Sequence, residues 1–203
     1  MELILASGSP RRLELLQQIG IVPRVVVSHS EEETTDVTPS ELVRHNALAK
    51  GRDVVRRMGD TVAVLAADTV VVLEGTILGK PGNPEKAKAM LQLLSGKTHQ
   101  VMTGMALFYK GRVLTHVETT DVTFTSLTEQ DIETYVATGE PLDKAGAYGI
   151  QGRAAVFIPH IHGSYSNVVG LPLAALKKLI AEMDVTQNEP LSNQGNDAGG
   201  AAS

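Results

Sequence analysis

An α/β protein with a mixed sheet flanked by helices is the fold class this chain predicts, on three observations. Apolar runs of strand length alternate with amphipathic stretches of helical period, which is the signature of βα units. Two β-rich runs, His99 to Tyr109 and Arg112 to Thr125, are separated only by Lys110-Gly111, so they form a hairpin and the sheet is not purely parallel. The chain has 203 residues, 42% of them hydrophobic, enough to bury a core.

Each element follows from local signals. Glu2 to Ala6 reads as a buried strand that runs into Ser7-Gly8-Ser9-Pro10-Arg11-Arg12. There Ser9 can cap a helix and Pro10 can take its first position, and Leu13, Leu16 and Ile19 give its apolar stripe before Gly20. Arg24 to Val27 reads as a second strand, followed by the acidic run Glu31 to Glu33. Thr38-Pro39-Ser40-Glu41 is a capping box opening a helix to about Met58. Thr61 to Ala67 is expected as a strand that ends at Asp68-Thr69, with Val70 to Leu73 extended beyond it and Glu74-Gly75 turning into Thr76 to Leu78. Asn83-Pro84 starts a helix to Leu94, and Thr128 starts another to about Ala137. Gly139 to Gly152 is irregular, Ala154 to Ile161 is expected as a strand, and Leu171 to Met183 as the last helix. Residues 1–185 then make one catalytic-size domain. The stretch 186–203, rich in Asn, Gln, Gly, Ala and Ser, is expected to be a disordered tail.

Composition removes several classes of function. The net charge of -5 carries no basic surplus for a polynucleotide backbone, and aromatic residues are few, so no nucleic-acid partner is expected. There is no cysteine, which excludes disulfides, thiolate metal sites and a thiol nucleophile. No apolar stretch approaches the roughly 20 residues a membrane helix requires. Arg11 and Arg12 follow the first apolar run, whereas a signal peptide puts its charge first. A cytoplasmic protein is the expectation.

A few residues could carry chemistry. In Ser7 to Arg12 a strand ends, a glycine permits a tight turn and a helix begins. Its N–H groups, two hydroxyls and two guanidinium groups are donors suited to phosphate oxygens. The same segment reads equally well as an ordinary capped helix. Asp68, at the end of a buried run, could hold a cation or orient a water, or simply form a turn. Lys50 and Lys80 are point charges suited to phosphate, although most lysines are solvated. One of Glu31 to Glu33 could join Asp68 around a hard cation. His160 and His162 share a strand face, but no third ligand lies nearby in sequence, which favours a structural reading. Four glycines from Gly139 to Gly152 imply a close approach of backbone to something, and Gln151 can match a nucleobase edge. Ser164 to Pro172 is a polar, glycine-bounded loop before the last helix.

Six segments in order, LILASGSPRRLELL, AADTVVV, ILGKP, LSGKTHQVMTG, EPLDKAGAYGIQG and GSYSNVVGLPL, resemble the Maf family of nucleoside triphosphate pyrophosphatases. They span almost the whole chain short of its C-terminal stretch. The resemblance implies a Maf/ITPase-like fold with two lobes around a cleft. It also implies hydrolysis of a nucleoside triphosphate to the monophosphate and pyrophosphate with a divalent cation, Mg²⁺ or Mn²⁺. By resemblance Asp68 is the general base, and Glu32 falls at the acidic metal position beside it. Lys50 and Lys80 match phosphate-contacting lysines, Ser7 and Arg12 belong to the phosphate loop, and Arg11, Thr69 and Gln151 match positions tied to substrate choice. Ala49 stands where many relatives carry a glutamate. Relatives preferring 7-methylguanosine triphosphate carry a glutamate-bearing segment where this chain has Tyr148-Gly149-Ile150-Gln151-Gly152. A neutral glutamine both donates and accepts, as uracil and thymine require, so the chain resembles the dTTP/UTP subgroup. The alternatives are the same chemistry on 7-methyl-GTP or inosine-type nucleotides, or a non-catalytic nucleotide-binding regulator of septum formation. The resemblance also admits a homodimer.

Overall fold

The computed structural model describes residues 2–31 and 37–185. One seven-stranded sheet organises them, in the order β2-β1-β3-β5-β6-β7, with β4 also on β3. The strands are β1 (Leu3–Leu5), β2 (Arg24–Val25), β3 (Ala63–Leu73), β4 (Thr76–Leu78), β5 (Thr98–Tyr109), β6 (Arg112–Thr123) and β7 (His160–His162). The helices are α1 (Pro10–Gln18), α2 (Pro39–Met58), α3 (Pro84–Leu94), α4 (Glu129–Val136), α5 (Tyr165–Val169) and α6 (Leu173–Val185). β1 pairs in parallel with β2 and β3, and every other pair is antiparallel, so the sheet is mixed as expected. Expectations that fall on Glu32 and Glu33, or on the tail at 186–203, lie outside the described residues.

β3 is the spine, and it is longer than its sequence suggests. The expected break at Asp68 does not occur: one strand of 11 residues runs from Ala63 to Leu73, with Asp68 at its centre. What ends near Asp68 is the neighbour. Along one edge β1 pairs with Ala63 to Leu65, and β4 pairs with Val71 to Leu73. Residues 66–70 therefore have β5 on one side and no strand on the other. The sheet has a notch there.

Packing divides at the same place. Ala63, Leu65 and Ala67 face α1 and α6, while Val64 and Ala66 face α2. Beyond the notch Val71 and Leu73 join a cluster with α3 and α4, and Val70 and Val72 pack on Leu42 and Val43 of α2. Asp68 and Thr69 are the two members of β3 in none of these clusters. This is the two-lobed division expected, with the polar pair at the boundary.

α2 lies directly on the sheet because Gly104 of β5, the register partner of Asp68, has no side chain. A β-carbon there would run into the Val43 carbonyl. The capping box opens α2 as expected: Thr38 accepts from the Glu41 N–H, and Glu41 accepts from Thr38. Asn83 caps α3 and Thr128 caps α4 through the same logic. Both hairpin turns, Glu74-Gly75 and Lys110-Gly111, place two residues at positive φ, the geometry that matches strand twist.

Three local expectations need correction. Ala154 to Ile161 is not one strand. Ala154 and Phe157, three residues apart, are the buried pair of a 3₁₀ turn over Arg153–Phe157, and only His160–His162 is extended. Ile19 lies past the end of α1 and is 46% exposed, its place being taken by Ile21. The last helix starts at Leu173, because Pro172 follows a separate short helix, α5.

Candidate active site

Strand alternation separates the two polar residues of β3. Asp68 points to the α2 face and Thr69 to the α1 face, and the notch is where both faces open to one edge. Asp68 is 7% exposed. Its Oδ1 takes Lys50 Nζ at 2.6 Å and its Oδ2 takes Asn46 Nδ2 at 3.0 Å. Asn46 and Lys50 are four residues apart on α2, so they stand one above the other over the carboxylate. Asn46 has no counterpart among the sequence expectations. Its signal, an amide one helical turn before Lys50, is weak alone and meaningful only once α2 sits on Gly104.

The Ser7 to Arg12 segment closes the notch from the other side. Ser9 occupies the N-cap of α1, yet its hydroxyl makes no cap bond; Ser7 Oγ instead accepts from the Ser9 N–H at 3.2 Å. Arg12 braces the gap in the sheet. Its Nη1 donates to the Ala67 carbonyl at 2.9 Å and to Ser7 Oγ at 3.0 Å, its Nε to the Gly170 carbonyl at 2.8 Å, and its Nη2 to Thr69 Oγ1 at 3.1 Å. Leu65 gives its carbonyl to the Ala6 N–H, and two residues on Arg12 takes the corresponding carbonyl of Ala67, where β1 has ended.

Behind Thr69 lies a buried polar chain. Thr69 Oγ1 meets Thr103 Oγ1 at 2.9 Å, and Thr103 Oγ1 donates to the Asn167 carbonyl at 3.2 Å. Asn167 Nδ2 donates to the Val101 carbonyl at 3.0 Å and to Thr120 Oγ1 at 2.9 Å. The Ser164 to Pro172 segment, expected as a loop, carries the short helix α5 and is docked on the sheet through its asparagine. The sequence does not mark Thr103 or Asn167, because a threonine within a strand pattern gives no sign of what its hydroxyl meets.

Two further loops border the notch. Lys80 is exposed, beside Gly79, whose carbonyl accepts from Gly146 N–H at 3.1 Å. Arg11 is half-buried and reaches the second loop, with its Nη1 at 3.7 Å from the position a Gly149 β-carbon would take. Gln151 is exposed in the same loop. Glu140 holds that loop's shape: it accepts from Tyr135 Oη at 3.0 Å and from the Arg153 N–H at 3.1 Å, and a β-carbon on Gly152 would overlap its carboxylate. Burial, reinforced by the bond to Glu140, pushes the Tyr135 phenol well above its ordinary range, so it stays a donor. Lys144 bonds the Glu140 carbonyl and Asp143 Oδ1 at 2.8 and 2.9 Å, and holds the Asp143 carboxyl below its usual value.

The remaining candidates fall elsewhere. His160 and His162 are exposed on the edge strand β7, and among the described residues no group of three His, Asp or Glu side chains could hold a metal. A cavity of about 590 Å³ is lined by Arg52, Arg56, Phe108 and Arg112, among others, and contains none of the candidate residues; the convergence of side chains at the notch, rather than cavity size, marks the site. Among the described residues no helix is long and apolar enough to cross a membrane.

Known proteins resemble this chain over most of its length. The chain is 50% identical over 185 residues to a dTTP/UTP pyrophosphatase of Bacillus cereus strain B4264, covering 91% of this chain and 96% of that protein. It is 49% identical over the same length to a dTTP/UTP pyrophosphatase of Bacillus anthracis, with the same coverage. Among solved structures the fold resembles a Ham1 protein of Staphylococcus aureus (TM-score 0.53, 13% identity, 90% of this chain and 100% of that one). It also resembles a HAM1 protein of Coxiella burnetii (TM-score 0.54, 17% identity, 90% and 99%). The description "Maf-like protein" matches residues 2–183, nearly all of those described, and the chain belongs to that family.

Proposed function

We propose that this chain is a nucleoside triphosphate pyrophosphatase that hydrolyses dTTP and UTP to the monophosphate and pyrophosphate. The observation that carries the reading is the 50% identity, across 91% of the chain, to a protein named for that activity. The arrangement at the notch supports the chemistry.

Pyrophosphate leaves when water attacks the α-phosphorus. Asp68 accepts the water's proton, with Asn46 and Lys50 fixing the carboxylate and Lys50 adding positive charge beside it. Arg11 and Lys80 reach the β- and γ-phosphates from two sides of the notch, and Arg12 contributes its charge from a braced position between Ser7 and Thr69. Thr69 and Gln151 read the nucleoside. A carboxylate accepts at about four positions, and the bonds from Lys50 and Asn46 leave Asp68 room to ligate Mg²⁺ or Mn²⁺. The partner carboxylate would come from the Glu31 to Glu33 run, Glu32 by resemblance. When bound, the cation neutralises charge developing on the phosphate oxygens.

A pyrophosphate-release assay over a nucleotide panel, run in ¹⁸O-water, tests the proposal. UTP and dTTP are expected to be cleaved fastest, with the label entering the monophosphate alone. Rapid cleavage of 7-methyl-GTP beside poor cleavage of UTP and dTTP contradicts the substrate. Label in the pyrophosphate, or release of orthophosphate, contradicts attack at the α-phosphorus.

A further inference from the structure

The direction of one hydrogen-bond chain determines how Thr69 can meet a ligand. Thr103 and Asn167 are both 0% exposed, so their polar atoms depend on partners within the protein. The Asn167 carbonyl can only accept, and Thr103 Oγ1, 3.2 Å away, donates to it. A hydroxyl has a single proton. Thr103 must therefore accept in its 2.9 Å contact with Thr69, and Thr69 donates there. On its other side Thr69 accepts from Arg12 Nη2, because a guanidinium only donates. The proton of Thr69 and one of its lone pairs are committed. One lone pair is left, on the single residue of β3 that is not buried.

We infer that Thr69 serves the substrate as an acceptor only, and that Thr103 and the Asn167 carbonyl are positioning residues that impose this polarity. The complementary chemistry is an N–H or O–H donor on the nucleoside: the imide N–H of a base, or the 2′-hydroxyl of a ribose. Uracil and thymine carry a proton on the ring nitrogen where cytosine has a lone pair. Set against that ring nitrogen, an acceptor-only Thr69 favours the first pair and disfavours cytosine without steric exclusion. The inference rests on the proposed pyrophosphatase activity and deepens it to the selection of one donor pattern.

Thr103→Val removes the acceptor that takes Thr69's proton, so the Thr69 hydroxyl can turn and donate. Thr103→Ser keeps the acceptor. The readouts are the ratios of kcat/KM for UTP over CTP and UTP over dUTP, with thermal melting to establish folding. Thr103→Val is expected to lower one ratio about tenfold, the size of one ordinary hydrogen bond. A smaller change in kcat on UTP is expected, and the serine variant should keep the wild-type ratio. A fall in UTP over CTP assigns the donor to the base, and a fall in UTP over dUTP assigns it to the sugar. Unchanged ratios in a folded Thr103→Val protein overturn the inference. Should that variant not fold, Thr69→Val, at the half-buried end of the chain, must lower turnover of UTP more than that of CTP or dUTP; equal losses overturn it. If the wild type proves inert on UTP, the proposed function fails separately. The same contrast is then read on ITP, a ring N–H donor, against ATP, an acceptor.

Discussion

Asp68 and His99 are two ionisable side chains buried in the sheet, 7% and 2% exposed. Asp68 was legible as a candidate because an acidic residue after an apolar run is out of place unless it is used or exposed. The expected reason, a strand end, was wrong. It sits mid-strand, where burial is tolerable because Lys50 and Asn46 bond its two oxygens at 2.6 and 3.0 Å. His99 gave no signal at all, being one polar residue in a β-rich run. It is 2% exposed, its Nε2 lies 2.7 Å from Tyr148 Oη, and Phe124 packs edge-on against it. Burial holds its pKa down at about 4 against an ordinary 6.5, with Asp121 opposing. The folded value lies below the unfolded one, so the unfolded chain takes up the proton first. The stability from this group is complete above pH 6.5 and falls as pH drops towards 4. The full loss is about 3 kcal/mol. Urea unfolding at pH 7, 5 and 4 is expected to show that loss in the wild type and a flatter profile in His99→Gln. Parallel profiles would remove His99 as the cause.

At the scale of elements, sequence was most informative where a local rule decides the outcome. The starts of α2, α3 and α4 and both tight hairpins follow from capping residues and from the glycine of each turn. It was least informative where tertiary contacts decide. Ala154 to Ile161 has strand composition, but Glu140 takes the Arg153 N–H and the segment curls into a 3₁₀ turn. The approach of α2 to the sheet was also hidden, because Gly104 means nothing until it faces the Val43 carbonyl. Gly104→Ala is therefore expected to lift α2 and cost about 1–3 kcal/mol. It should also separate Asn46 and Lys50 from Asp68. Thermal melting and turnover should fall together. A loss of stability with full kcat would mean that the placement of α2 does not govern Asp68.

For the molecule as a whole, the site exists because two short strands share one edge of β3 and leave residues 66–70 between them. No local pattern announces that notch. It arises from register, from β1 ending at Leu5 and from β4 turning back to pair with Val71. The six motif segments could be read as belonging together. Which face each residue takes could not, and the structure places Asp68 with α2 and Thr69 with Arg12. Arg12 in turn braces the sheet where a strand is missing, a role its sequence context does not suggest. In the proposed reaction a carboxylate at this notch takes the proton from the attacking water. Asp68→Asn, compared with wild type for UTP affinity and for pyrophosphate release, tests it most directly. Binding is expected within a few-fold of wild type, with turnover reduced about 10²–10⁴-fold, the range of a lost general base. Undiminished turnover in the folded variant would contradict it.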